Sequence, residues 1–163
     1  IVDSIAELFD YLDEMEVFSS NSINRVLAGY SQPWNSHKDK TQFDWVEGTN
    51  QWKWNSTNKN WISRPNSRKE IGCIHAVQGV DLNYMGVIIS KDIEIIDGEI
   101  HGNENEYKDE NGKFAKADFD QKAFDDYIKN IYYVLLSRGI SGIRVYFEDK
   151  KMEKYFKQLM EIK

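Results

Sequence analysis

Cysteine occurs once in these 163 residues, at Cys73, and proline twice, at Pro33 and Pro65. One thiol excludes an internal disulfide framework and fits a reducing, cytoplasmic compartment. Three scattered histidines, His37, His75 and His101, offer no zinc-ligand spacing, and no metal site is expected. No apolar run approaches the ~18 residues that a membrane span requires. No basic stretch leads into an apolar one, so no secretory signal is visible and no membrane partner is expected. Basic excess is also missing: 27 acidic against 21 basic residues leave a formal charge of −6. Phosphate neutralisation supplies most non-specific affinity for nucleic acid, so contact by this chain alone should be weak. A G-x-x-x-x-G-K-[ST] loop occurs nowhere, and no apolar strand ends in paired acids that would hold magnesium. The first residue is Ile1, as expected of a piece cut from a longer chain.

What is present describes a folded protein, 40% hydrophobic and 13% aromatic. Ser4 and Glu7 have capping-box spacing, and Ile5, Leu8, Phe9 and Leu12 recur on one helical face. Arg25 to Tyr30 (RVLAGY) reads as a short buried strand. Residues 31–67 turn polar, with tryptophans at 34, 45, 52, 54 and 61, and Gly48 and Asn50 mark a hairpin within a tryptophan-rich β insertion. Ile71–His75 and Met85–Ile89 have strand character, and Asp97-Gly98 is a two-residue hairpin signal. Residues 102–118 are charged and read as a surface excursion. Asp118 and Gln121 have the spacing of a second capping box, before an apolar stripe of Phe124, Tyr127, Ile128, Ile131 and Leu135. Gly139 is placed to terminate that helix. A strand at Ile143–Phe147 and a final amphipathic helix through Met152, Tyr155, Phe156, Leu159 and Met160 follow. Strands alternating with helices predict an α/β layer with a largely parallel sheet.

Two segments carry chemistry-bearing residues. In His75-Ala-Val-Gln78-Gly79-Val-Asp81, the glycine permits close approach of backbone to a ligand, and Gln78 and Asp81 offer hydrogen bonds to a sugar or phosphate. In Ser137-Arg138-Gly139, an arginine closes an apolar helix just before a strand. Arginine is planar, multidentate and always ionised, which suits charge developing on a transferring phosphoryl group. Each also has a plain structural reading. Arg138 complements the negative end of a helix dipole, His75 fits a turn beside a buried strand, and Gln78-Gly79 fits a turn.

Taken together and in this order, the segments resemble a known pattern. IGCIHAVQGVDLNYMGVII looks like helicase motif V, and IYYVLLSRGISGIRVYF looks like motif VI of superfamily 1 second domains. RVLAGYSQPW, the tryptophan-bearing stretch, GCIH-x-x-QG and the LLSRG run resemble, in that order, the Schlafen group 3 type of DNA/RNA helicase domain, a largely bacterial group. The resemblance covers about Asp3 to Phe156. It implies a RecA-like (P-loop NTPase-type) α/β second domain spanning 1–163, the C-terminal motor half of a superfamily 1 helicase-like ATPase. It implies Arg138 as the catalytic arginine finger, with Gln78, Gly79, Asp81 and Arg138 facing ATP and His75 towards nucleic acid. ATP and Mg2+ would be used by the full-length protein and not held by this piece alone. Its partners would be an N-terminal RecA-like domain of the same polypeptide and DNA or RNA. Family members often place another arginine at the end of the first strand; here that position is Ala28-Gly29, and Arg25 lies at the other end.

Trp52 and Trp54 are candidates for stacking on unpaired bases, a contact of about 1–3 kcal/mol per base. The tryptophans would equally serve as a small core for the insertion itself. Two other functions compete with the motor reading. One is a non-catalytic nucleic-acid or protein interaction module on the same fold. The other is a metal-dependent nuclease using Asp92, Glu94, Asp97 and Glu99, disfavoured because alternation on a hairpin divides neighbouring acids between two faces.

Overall fold

The computed structural model describes residues 1–18, 21–112 and 119–161. Helix α1 (Ile5–Phe18) starts as its capping box requires, with Glu7 N–H donating to Ser4 Oγ at 3.1 Å. The Glu7 carboxylate reaches back to the amide of Asp3 at 3.1 Å. Ile5, Leu8 and Leu12 are its buried stripe.

Strands β1 (Arg25–Ala28), β4 (Glu70–Gly72), β5 (Leu82–Ile89) and β8 (Gly139–Phe147) lie parallel, flanked by helices. All four β1 residues are buried, as in a strand covered on both faces. Leu8 of α1 lies over Gly86 of β5, where a Cβ would stand 2.9 Å from the leucine Cβ. This mostly parallel α/β layer is compatible with the expected RecA-like architecture.

The tryptophan-rich stretch is not an insertion with a core of its own. Strands β2 (Trp45–Glu47) and β3 (Asn50–Trp54) form the expected hairpin around Gly48, but β3 then runs parallel to β4. The sheet order is therefore β2-β3-β4-β1-β5-β8. Trp45, Trp54 and Trp61 are 2%, 1% and 0% exposed and belong to the main core. A four-residue helix, α2 (Asn35–Lys38), bridges β1 to this hairpin.

A separate antiparallel hairpin joins β6 (Ile93–Ile96) to β7 (Glu99–Gly102). Asp97 and Gly98 both have positive φ there, the signature of the tight turn their sequence predicts. Helix α3 (Gln121–Ser137) is capped by Asp120, whose carboxylate accepts from the amides of Lys122 and Ala123. Asp118, expected in that role, lies outside the described residues. Gly139 is not a left-handed terminator; the chain passes from Arg138 straight into β8. A side chain at Gly139 would crowd Met85 Cγ at 2.9 Å. Helix α4 (Lys150–Glu161) closes the described chain, with Met152 buried and Phe156 5.1 Å from Phe147.

Candidate functional site

A parallel sheet sorts its connections onto two ends, and the residues singled out above divide between them. At the amino end, β5 and β8 begin side by side. Leu82 pairs with Gly139, and the Leu82 amide donates to the Arg138 carbonyl at 2.9 Å. The preceding residues, Asp81 and Arg138, are thereby held together, with Arg138 Nη1 3.3 Å from Asp81 Oδ1. The Arg138 side chain is 27% exposed and that of Asp81 63%. A pair this open to water contributes at most about 1 kcal/mol to stability.

The rest of the Arg138 guanidinium is less well served. Its Nε is buried and has no hydrogen-bond partner among the described residues. A buried N–H left unmatched costs on the order of 1–3 kcal/mol, and Trp45 Nε1 is placed the same way among the described residues. Gly79 lies in the same connection, exposed, with φ +74°, and a Cβ at this position would meet nothing within 4 Å. Its backbone conformation, not crowding, favours glycine there. Gln78 and Asp81 are also exposed. Arg25 sits at this end too, at the start of β1, but faces inward. Its Nε donates to Ser67 Oγ at 3.0 Å, and Nη1 and Nη2 donate to the carbonyls of Asn24 and Ile62 at 2.6 and 2.5 Å. It is 7% exposed, and its donors already serve the fold.

His75 lies elsewhere. It sits in a 3-10 turn (Ile74–Ala76) just beyond the carboxyl end of β4, with Nε2 2.6 Å from Asp109 Oδ2. Asp109 is 1% exposed and also accepts from the Asn111 amide at 3.0 Å and the Tyr107 hydroxyl at 3.3 Å. Burial, first of all, pushes the Tyr107 phenol far above its ordinary range, so it stays a donor. The described part of the charged excursion, 103–112, is thus fastened down, with the Lys108 amide donating to the Tyr30 carbonyl at 2.8 Å.

The two tryptophans expected to stack on bases are otherwise engaged. Trp54 is buried, its ring stacked on Tyr30 at 5.1 Å and its Nε1 donating to the Gln32 carbonyl, so it has no free face. Trp52 is half-buried and stacks on Phe9 at 5.4 Å with planes 4° apart. Trp34 is half-buried, in contact with Tyr30 and His37 at 6.4 and 5.4 Å. It lines a cleft of ≈ 610 Å³ beyond the carboxyl ends of β1 and β3, with Tyr30, His37, Lys38, Asn58 and Lys108 among its walls. The tryptophan spacing placed an aromatic cluster here, but only the fold shows which ring is open.

Asp92 of the nuclease alternative is fully buried, and its two oxygens accept from the Tyr30 amide at 2.9 Å and the Tyr132 hydroxyl at 2.5 Å. Among the described residues no three His, Cys, Asp or Glu side chains converge as metal ligands. Among them too, no helix is long and apolar enough to cross a membrane.

A mostly parallel α/β sheet with an arginine and an acid paired at the amino ends of neighbouring strands is compatible with a helicase-like domain. The chain belongs to the family described as Schlafen group 3, DNA/RNA helicase domain, which matches residues 1–149. Helix α4 lies beyond that match. An uncharacterized protein of Saccharomyces cerevisiae is 33% identical over 100 residues, covering 56% of this chain and 21% of the yeast protein. The chain therefore spans about a fifth of that relative, and similarity reaches a eukaryote where the sequence reading expects a bacterial source. No solved structure matches.

Proposed function

We propose that this chain is the arginine-bearing second half of a superfamily 1-type nucleotide motor acting on DNA or RNA. The observation that carries the reading is the Arg138–Asp81 pair at the joined starts of β5 and β8, with Arg138 Nε buried and unpartnered. Asp81 orients the guanidinium without enclosing it, and Nη groups remain available to an incoming anion. Gln78 and the open backbone at Gly79 line the approach on the same connection.

ATP and Mg2+ would meet this surface from a preceding phosphate-binding, RecA-like domain of the same polypeptide. Phosphate-loop and magnesium-holding residues are absent from this sequence, so the chain supplies only charge compensation and positioning. Arg138 is the catalytic residue and Asp81 its positioning partner.

The test is steady-state ATP turnover of the full-length protein carrying Arg138→Ala or Arg138→Lys, measured beside thermal unfolding. Both variants should unfold near the wild-type temperature. Alanine should lose turnover by roughly 10³-fold or more, and lysine should rescue poorly because a point charge replaces a planar fork. A stable Arg138→Ala protein with full turnover leaves the finger assignment without support and favours an interaction module on the same fold.

A further inference from the structure

We infer that the carboxyl-end cleft is a seat for single-stranded nucleic acid, in which Trp34 stacks on a base and Lys38 and Lys108 neutralise the flanking phosphates. This rests on the nucleic-acid motor reading above and deepens it, since neither the family match nor the paired Arg138 says where a strand would lie.

Position comes first. The cleft lies beyond the carboxyl ends of β1 and β3, at the end of the sheet opposite Arg138. Its ≈ 610 Å³ falls within the range of binding clefts, and it is partly open to solvent. An extended strand needs such an open trough.

The chemistry of the walls agrees. Trp34 is held by a run of aromatic contacts rising from the core: Trp45 against Trp54, Trp54 on Tyr30, Tyr30 against Trp34, and Trp34 against His37. An indole fixed this way loses little freedom when a base stacks on it. Asn35 supplies an amide donor and acceptor, and Asn58, whose Oδ1 already accepts from Asn55 at 2.8 Å, a donor, which suit base edges without demanding one sequence. Lys38 and Lys108 supply cations, against the exposed Glu110 and the buried Asp109. The acid deepest in the wall, Asp109, is 1% exposed and is held by His75 Nε2 at 2.6 Å and the Tyr107 hydroxyl at 3.3 Å. Both fastenings, His75–Asp109 and the Lys108 amide to the Tyr30 carbonyl, tie the excursion that forms one wall to the segments that follow β4 and β1.

Few cations line the cleft in a chain of charge −6, so stacking carries more of the affinity than phosphate contacts do. The test uses the full-length protein and a fluorescein-labelled oligo(dT) or oligo(U) twelve-mer, read by anisotropy at two salt concentrations. Trp34→Ala should weaken binding about tenfold or more. Trp34→Phe keeps a ring and should bind within a few-fold, while the quenching of intrinsic tryptophan fluorescence by unlabelled oligonucleotide disappears. Lys38→Gln and Lys108→Gln should each lower the slope of affinity against salt by about one. Lys154→Gln, on exposed α4, serves as the control and should change nothing.

Binding and quenching that survive Trp34→Phe and Trp34→Ala alike overturn the proposal, as does a loss seen instead with Lys154→Gln. Displacement of the oligonucleotide by inorganic pyrophosphate or ATP with equal effect on quenching would make the cleft a mononucleotide site and also overturns it. Failure here leaves Arg138-dependent ATP turnover untouched, whereas a fully active Arg138→Ala enzyme fails the motor reading without altering this binding measurement.

Discussion

At Arg138 two roles compete for one side chain. A cation at the end of α3 favours the negative pole of the helix dipole and would contribute about 0.3–1 kcal/mol. That role does not require the Asp81 carboxylate that Arg138 Nη1 meets at 3.3 Å. Asp92 shows the opposite case of a polar residue fully used by the fold. Burial pushes its carboxyl up to about 6, despite hydrogen bonds from Tyr132 and the Tyr30 amide that favour the anion. An acid raised in this way contributes stability that is fully present below the unfolded value of about 4 and is lost as pH rises through 6. Between pH 4 and 7 the wild type should therefore lose about 3 kcal/mol relative to Asp92→Asn, readable from urea unfolding of both proteins across that window. Equal pH dependence of the two would contradict the buried, raised carboxyl. The neighbouring Gly29 tests the same knot sterically. A methyl group there overlaps the Tyr132 hydroxyl and comes within 2.7 Å of Asp92 Oδ1. Gly29→Ala should cost at least the ~1–3 kcal/mol of an overpacked core, seen as a lower urea midpoint with an unchanged slope.

At the scale of elements, the β2–β3 hairpin does more than extend the sheet. Glu47, at its turn, accepts from the amides of Ile5 and Ala6 at 2.9 and 3.2 Å and so caps α1 from 41 and 42 residues away. Glu47→Ala should cost about 1 kcal/mol, the ordinary worth of a cap, and should speed hydrogen exchange at those two amides. Protection unchanged at Ile5 and Ala6 would show that Ser4 and Glu7 suffice. Such a contact is invisible in the sequence, where capping is read only from neighbours three or four residues apart. Local signals elsewhere were readable: the Ser4 cap, the Asp97-Gly98 turn and the α3 stripe all stand where their spacing places them. The long-range pairing was not. Nothing in Asn50–Trp54 announces that it runs parallel to Glu70–Gly72, and this pairing alone turns an expected insertion into part of the main sheet. The same pairing buries Trp54 and leaves Trp34 at the opening. Gly139 was misread for a related reason, since close packing on Met85 and a left-handed helix end both call for glycine.

Across the whole molecule, the parallel sheet separates two surfaces that the sequence interleaves. Gln78, Gly79, Asp81 and Arg138 lie on connections entering β5 and β8, while His75, only three residues before Gln78, sits at the opposite end. One short connection thus runs from His75, which holds the cleft-wall residue Asp109, to the Arg138 end. In a motor, that connection is placed to couple a strand in the cleft to charge at the arginine. Oligo(dT) or oligo(U) should accordingly stimulate ATP turnover of the full-length protein, and Trp34→Ala should blunt the stimulation while leaving the unstimulated rate within about twofold. Stimulation of Trp34→Ala equal to wild type would separate the two surfaces functionally. An arginine finger at position 138 acts in chemistry and not in nucleotide binding. Single-turnover hydrolysis by the full-length protein, with nucleotide affinity measured separately on wild type and Arg138→Ala, tests it most directly. The rate constant should fall by roughly 10³-fold in Arg138→Ala, with affinity changed only a few-fold. A variant that hydrolyses at the wild-type rate, or that loses affinity and rate in equal measure, would contradict it.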